Sequence, residues 1–515
     1  MIPRGRGGML WRFLLAAVMI IGATAATTAV AGLLQFKQLA AEIGVEPSLP
    51  HANVTLPAPG APETLLIIGS DHRAGTSYNS SNTDTMLLVR LDPNSSTINL
   101  MSIPRDLEVQ IPGFGTSKIN AAYADGGPNL MIKTIKQNVF PNLHVNHILD
   151  VNFAGFADLV DAIGCVFSQV DHRYYNNTAL TDYSSIDIQP GYQKLCGDNQ
   201  MPQGALAFVR FRHTDTDIVR NARQQDFIRW AKDQYSTSQL LSNRDKLLGI
   251  FGHHVQTDHD LHTVDGLITL FDLVLNLDGH TIKSVPFPAQ LQTCVAAAPG
   301  QAAPPCYVTA TPQGEQAAFT TFMKPTTAVV AAAKTHPTVT LTHHKPGGID
   351  TSGLTADVSD GHSQAARLGR VTMPIYIPRF IVSGSQYCMS LTGNCDAGQE
   401  PASEYAASYP RGYTIHDRSG APHAAYYMTI VQNALKGEYY GVQGTTWLDP
   451  PLLATPSQTK TVAGRKLELF AAGGKLTTVA WRTPTAVYWI ANTLTSSIPN
   501  QQMVAMAASL TRATP

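Results

Sequence analysis

Five arginines, Arg210, Arg212, Arg220, Arg223 and Arg229, fall within a window of twenty residues. A guanidinium presents a fork of donors that matches two phosphate oxygens at once, so convergent arginines can hold a pyrophosphate. The same residues also admit a plainer reading as a salt-bridged helix face, with Asp215, Asp217 and Asp226 as counter-charges. Against that reading stand Arg210 and Arg212. On a strand-like run over 207–211 and its edge their side chains share one face, where they repel each other unless an anion lies between them. A second group is Asp71, Arg73 and Asp84. Asp71 closes an apolar run, the position where α/β folds place ligand loops, and two carboxylates beside Ser and Thr suit a hard divalent cation such as Mg²⁺. An Asp at a strand end is equally an ordinary turn residue. The third group is Ser102-Ile103-Pro104-Arg105-Asp106 with Lys118 and Asn120, which adds two more cations after a strand end. His253, His254, His259 and His262 cluster as well, but without cysteine partners they make a weak zinc site. The sequence has no Gly-x-Ser-x-Gly elbow, Walker loop or His-Glu-x-x-His helix, so esterase, nucleotide hydrolase and zinc protease classes fall away.

These groups need a frame that brings them together. Apolar runs at 65–68, 86–91 and 98–103 read as strands, each ending in a polar loop. Phe153, Phe156, Ala157, Val160 and Ile163 have the spacing of one helix face, and a helix-rich stretch follows over 223–277. Strands and helices together predict an α/β domain over 63–290. An Ala, Pro and Thr-rich connector is expected over 295–369. A separate α+β domain over 370–515 contains Tyr439, Tyr440, Trp447, Trp481, Tyr488 and Trp489 but no catalytic motif.

The chain has 515 residues with 36 Lys and Arg against 37 Asp and Glu, a length that predicts several domains and a balance that excludes a globally basic nucleic-acid binder. Any anion site must be local. Arg4, Arg6 and Arg12 precede residues 13–34, which carry no charge and are long enough to span a bilayer, with residues 1–12 as a cytoplasmic tail and the body outside. A cleaved signal peptide is the competing reading, with small-residue triplets at Ala23-Thr24-Ala25 and Ala29-Val30-Ala31. Residues 35–62, punctuated by Pro47, Pro50, Pro57, Pro59 and Pro62, read as an extended linker. The six cysteines suit an oxidising compartment, and chain order offers Cys165 with Cys196, Cys294 with Cys306, and Cys388 with Cys395 among fifteen connectivities.

Taken together, the segments Leu66-Ile67-Ile68-Gly69-Ser70-Asp71-His72-Arg73, Thr83-Asp84-Thr85-Met86, Ser102 to Asp106, and Lys118-Ile119-Asn120 to Tyr123 with Gly126-Gly127-Pro128 form an ordered set. They continue in 153–164 and in Val209-Arg210-Phe211-Arg212 followed by Asp217, Arg220, Arg223 and Gln224. This set resembles the LytR-CpsA-Psr family of cell-envelope proteins over about residues 63–290. The resemblance implies an αβα sandwich with an apolar tunnel for a prenyl chain. It also implies a membrane-attached phosphotransferase that moves a glycopolymer from a polyprenyl diphosphate carrier to peptidoglycan. A non-catalytic prenyl-phosphate-binding or assembly module and a polyprenyl pyrophosphatase are the alternatives. On this resemblance Arg105, Arg210, Arg212 and Arg220 form the catalytic clamp, and Arg73, Lys118, Asn120, Arg223 and Gln224 contact the substrate. Asp71 and Asp84 hold Mg²⁺, and Cys165 with Cys196 look like the disulfide of the actinobacterial branch. Family members usually carry Arg two residues before the second aspartate, where this chain has Asn82.

Overall fold

The computed structural model describes residues 48–513 except 50–51, 56, 59, 71–82, 96, 177–185, 198–203, 212–214, 264, 267–269, 271–279, 293–306, 325–348, 370, 389–394 and 396–408. Asp71, Arg73, Asn82, Arg212, Cys294, Cys306 and the expected membrane span at 13–34 lie outside the described residues. Among the described residues no helix is long and apolar enough to cross a membrane.

Apolar residues of both parities in the run at 65–68 give the Glu63–Ser70 strand two buried faces, and it lies inside a six-stranded mixed sheet. Across the sheet the strands run Val255–Thr257, His147–Asn152, Glu63–Ser70, Thr83–Leu91, Thr97–Ser102 and Thr281–Ser284. Glu63–Ser70 pairs antiparallel with Thr83–Leu91 and parallel with His147–Asn152. On one face Leu66, Ile68, Leu88 and Met101 pack against Met131 and Ile135 of the Ala121–Asn138 helix. On the other, Leu65, Leu87, Leu100 and Leu149 meet Ile228 and Phe251 of the Asp217–Gln234 and Arg244–His254 helices. Helices thus cover both faces of a mixed α/β sheet. The Ala121–Asn138 helix is broken at Gly126-Gly127-Pro128, where Gly127 takes φ 66°, a conformation that side-chain-bearing residues rarely adopt.

Four expectations need correction. The run at 207–211 is not a strand: Ala205–Arg210 is a short helix that follows Gly204, and the chain leaves it extended at Phe211. A six-residue apolar run has no decisive period, and Ala205, Leu206 and Ala207 favour the helix. The next helix begins at Asp217, earlier than 223, because Thr216 caps it by accepting from the Val219 amide. The linker is not free to residue 62: Leu49 is buried in the core and its amide bonds to the Thr257 carbonyl, while the Thr55 amide bonds to the Val145 carbonyl. The connector is not irregular throughout. Its Pro312–Met323 helix seats Phe319 and Phe322 in the α/β core, and its Val358–Arg367 helix belongs to the C-terminal unit.

That unit is an eight-stranded antiparallel sheet covered on one face by the Asn500–Ala508 and Val358–Arg367 helices. It has its own core, yet it is not detached. Its other face lies on the Val166–Val170 and Gly191–Leu195 hairpin of the α/β domain, where Phe167 and Tyr192 join Trp447, Phe470 and Trp489 in a shared cluster. Hydrogen bonds run both ways across this seam. The Tyr413 hydroxyl accepts from the Tyr192 amide at 2.9 Å, and the Tyr192 hydroxyl accepts from the Leu452 amide at 3.1 Å.

Candidate active site

The site collects where three strand ends and two helices meet. Asp84 stands at the start of the Thr83–Leu91 strand, Arg105 and Asp106 follow the end of Thr97–Ser102, and Lys118 ends the short strand Gly115–Lys118. Arg210 is the last residue of its helix, and Asp217 and Arg220 open the next. Residues distant in the chain therefore converge because the strand ends and the helix ends meet in one place.

Asp84 is the centre. One of its carboxylate oxygens pairs with Arg105, and the other lies 3.4 Å from an Arg210 terminal nitrogen. The Arg210 guanidinium also rests on the Phe153 ring at 3.8 Å, a contact that favours a cation over an aromatic face. Beside them Lys118 reaches Asp106 at 2.8 Å. Asp84, Arg105, Arg210 and Lys118 are each 20 to 32% exposed, so this part of the cluster faces an opening.

Beneath lies a buried layer. Arg220 and Asp217 are both 2% exposed and face each other at 3.2 Å. The Arg220 Nε has no hydrogen-bond partner among the described residues. Burial pulls the Arg220 guanidinium below the usual arginine range against the pull of Asp217, and Arg105 lowers it further. Asp106 is pushed up by burial; the hydrogen bond from Lys118 opposes this and Asp217 adds to it. Like charges are therefore packed on both sides, and an added anion would relieve the cationic repulsion between Arg105 and Arg220.

Arg223 sits differently from the expectation of a substrate contact. Its side chain is fully buried, paired with Asp215, and it donates to the carbonyls of Phe208 at 3.0 Å and Phe211 at 2.8 Å, with the Tyr174 ring 4.4 Å from its guanidinium. It closes the end of the Ala205–Arg210 helix and so aims Arg210. Gln224 is likewise a tie: its amide donates to Thr85 Oγ1 at 2.9 Å and to the Val209 carbonyl at 3.1 Å, joining the Asp84 strand to the Arg210 helix. Asn120 bridges through its backbone, its amide donating to the Arg105 carbonyl at 3.2 Å while its carbonyl accepts from Thr83 Oγ1 at 3.3 Å.

Asp150 escaped the sequence reading. Fully buried, it accepts from Ser70 Oγ at 2.5 Å and from the Tyr123 hydroxyl at 2.7 Å, and so holds the strand end that leads to Asp71. Its signal was a lone carboxylate in the apolar strand that precedes Phe153. Cys165 and Cys196 lie at bonding distance and tie the end of the Phe153–Ile163 helix to the segment before Ala205; Cys388 and Cys395 form a second such pair. His254 pairs with Asp158 at 3.1 Å, and His253 bonds to the Gly249 carbonyl.

The chain is similar to known proteins. The model of the LytR_cpsA_psr family matches residues 35–304, just over half of the chain. A polyisoprenyl-teichoic acid–peptidoglycan teichoic acid transferase, TagU of Oceanobacillus iheyensis, is 33% identical over 213 residues, 40% of this chain and 61% of the relative. The probable cell wall biosynthesis protein LcpB of Corynebacterium glutamicum is 33% identical over 175 residues, covering 32% of this chain and 39% of its own. The chain thus spans about three fifths or less of these curated relatives. A solved structure of TagT bound to LIIa-WTA aligns with 54% of this chain and 98% of its own at 22% identity and a TM-score of 0.40.

Proposed function

The chain belongs to the LytR_cpsA_psr family, and from that premise we propose that it is a phosphotransferase moving a glycopolymer from a polyprenyl diphosphate carrier to a hydroxyl of peptidoglycan. One observation carries the reading: Arg105 and Arg210 meet on the single carboxylate of Asp84 at an opening, with Lys118 and Arg220 beside them. Guanidinium forks at this spacing suit a diphosphate, whose oxygens replace the Asp84 contacts. The names of the relatives, teichoic acid transferases and a cell wall biosynthesis protein, point to the same class.

The acceptor oxygen attacks the phosphorus that carries the glycan and a new phosphoester forms. The bond from that phosphorus to the bridging oxygen breaks, the lipid leaves as its monophosphate, and the hydroxyl proton departs to solvent or to that phosphate. Arg105 and Arg210 orient the diphosphate and stabilise charge on its oxygens as the bond breaks. Arg220, held by Asp217, supplies positive potential from below. Asp84, with Asp71 as the second candidate, would hold a Mg²⁺, since such ions are commonly bound through one or two carboxylates plus substrate oxygens. Bound there, the ion would neutralise diphosphate charge. Residues 13–34 would keep the enzyme at the membrane that holds its lipid donor, with the body outside the cytoplasm. The apolar face of the Phe153–Ile163 helix, which carries Phe156 and the exposed Leu159, is the proposed wall of the prenyl tunnel.

The test uses the purified full-length chain with a prenyl diphosphate-linked oligosaccharide, Mg²⁺ and peptidoglycan. Release of lipid monophosphate that depends on the acceptor supports the transferase. Release without acceptor points to a pyrophosphatase, and tight lipid binding without release to a binding module.

A further inference from the structure

We propose that the seam between the α/β domain and the C-terminal unit is a groove for a linear, neutral saccharide chain, with one end at Pro104, the residue before Arg105. The purpose of the groove rests on the transferase reading; its occupancy does not.

Two cavities, of about 290 and about 350 Å³, open along one side of the Asp217–Gln234 helix. Both are walled by Asp226, Arg229, Leu494 and Ser496, so they form two halves of one groove. The first half begins at Ile218, Asn221 and Gln225 beside Ser102 and Pro104, the residue before Arg105. The second half ends at Lys232 and Asp233. From residue 218 to residue 233 a helix rises about 22 Å at about 1.5 Å per residue, a length that suits a chain better than a compact metabolite. The facing wall belongs to the C-terminal unit, through Ala472, Lys475, Thr477, Thr478, Asn492 and Thr493. Neither domain makes this groove alone.

The wall chemistry selects the ligand class. Asn221, Thr478 and Ser496 bring an amide and two hydroxyls to the walls, groups that match sugar hydroxyls. Trp230 and Phe470 in one half and Phe287 in the other supply flat apolar surface for the faces of sugar rings. Charges along the groove nearly balance, with Asp171, Asp226 and Asp233 against Arg229, Lys232, Lys283 and Lys475. Asp226 and Arg229, at the waist, already pair at 2.7 Å. A polyanion finds no concentrated positive field there, in contrast to the Arg105 cluster.

Neutral saccharide could enter as the polymer on the lipid donor or as the acceptor strand, and two probes separate these sources. Isothermal titration of the full-length chain in detergent with the β-linked tetramer of N-acetylglucosamine, and separately with that of galactose, reads occupancy without turnover. We expect saturable binding of at least one tetramer. It should weaken at least tenfold in Thr477→Trp, which fills the half near Lys232, and in Thr495→Trp, which fills the half near Gln225. Melting curves confirm that each variant is folded. Tighter binding of the acetamido tetramer assigns the groove to the acceptor strand, and tighter binding of the galactose tetramer to the polymer. Arg105→Ala should retain tetramer binding while losing turnover, so loss of the transferase reading and loss of the groove give different results. A wild-type chain that binds neither tetramer, or folded Trp variants that bind as the wild type does, would overturn the proposal.

Discussion

Arg105 and Arg210 share Asp84, while Arg223, from the same stretch of sequence as Arg210, is spent on carbonyls and on Asp215. The two kinds of arginine should respond differently to mutation. In the proposed transfer reaction Arg105→Ala and Arg210→Ala should each lower turnover at least about tenfold, the equivalent of about 1.4 kcal/mol, with melting temperature unchanged. Arg223→Ala should instead destabilise the fold by about 3 to 5 kcal/mol, because it leaves Asp215 buried without its partner. A calorimetric scan beside the turnover assay separates the two effects. Arg105, Arg210 and Lys118 stand out in the sequence because their types suit phosphate chemistry, and the fold brings them together. The role of Arg223 was not legible there, since its carbonyl partners come into being only where the Ala205–Arg210 helix ends. Asp150 was hidden for a related reason: Ser70 and Tyr123 reach it only after the sheet has paired Ser70 with Asn152.

At the level of elements, the Pro312–Met323 helix shows both what was readable and what was missed. Thr311 caps it by accepting from the Gly314 amide at 3.2 Å and Pro312 occupies its first turn, a start signal present in the sequence but masked by Ala, Pro and Thr-rich surroundings. Its docking places Glu315 at 8% exposure, and burial pushes the Glu315 carboxyl up to about 7. The folded chain then keeps a proton that the unfolded chain has already lost, so stability falls as pH rises from the ordinary glutamate range, about 4.3, toward 7. Glu315→Gln should flatten that slope and raise the melting temperature at pH 8 relative to the wild type. Equal slopes in wild type and variant would mean that the carboxyl is hydrated in the folded chain. Central strands such as Glu63–Ser70 were read correctly because a continuous apolar run flanked by a polar loop has few alternatives. The six residues at 205–210 had several.

Across the whole molecule, the α/β sheet and the C-terminal sheet are joined by contacts between residues more than two hundred positions apart, such as the Arg173 amide to the Tyr409 hydroxyl at 2.8 Å. Nothing local in the sequence encodes such pairs, and the C-terminal unit therefore read as a separate body. Deleting residues 349–515 would uncover Phe167 and Tyr192 and leave the Arg173 and Tyr192 amides without their tyrosine acceptors. The shortened chain should melt lower than the full chain and aggregate on heating, as light scattering would show; an unchanged melting transition of the α/β domain would make the seam energetically neutral. The central claim is that the Asp84, Arg105 and Arg210 cluster receives a diphosphate. Titration of farnesyl diphosphate into the full-length wild type and into the Arg105→Ala, Arg210→Ala double variant tests it most directly. The wild type should bind saturably and more tightly than it binds farnesyl monophosphate, and the variant should lose about a hundredfold or more, since each charge-assisted bond contributes about 1.5 to 3 kcal/mol. Equal binding by wild type and double variant would contradict it.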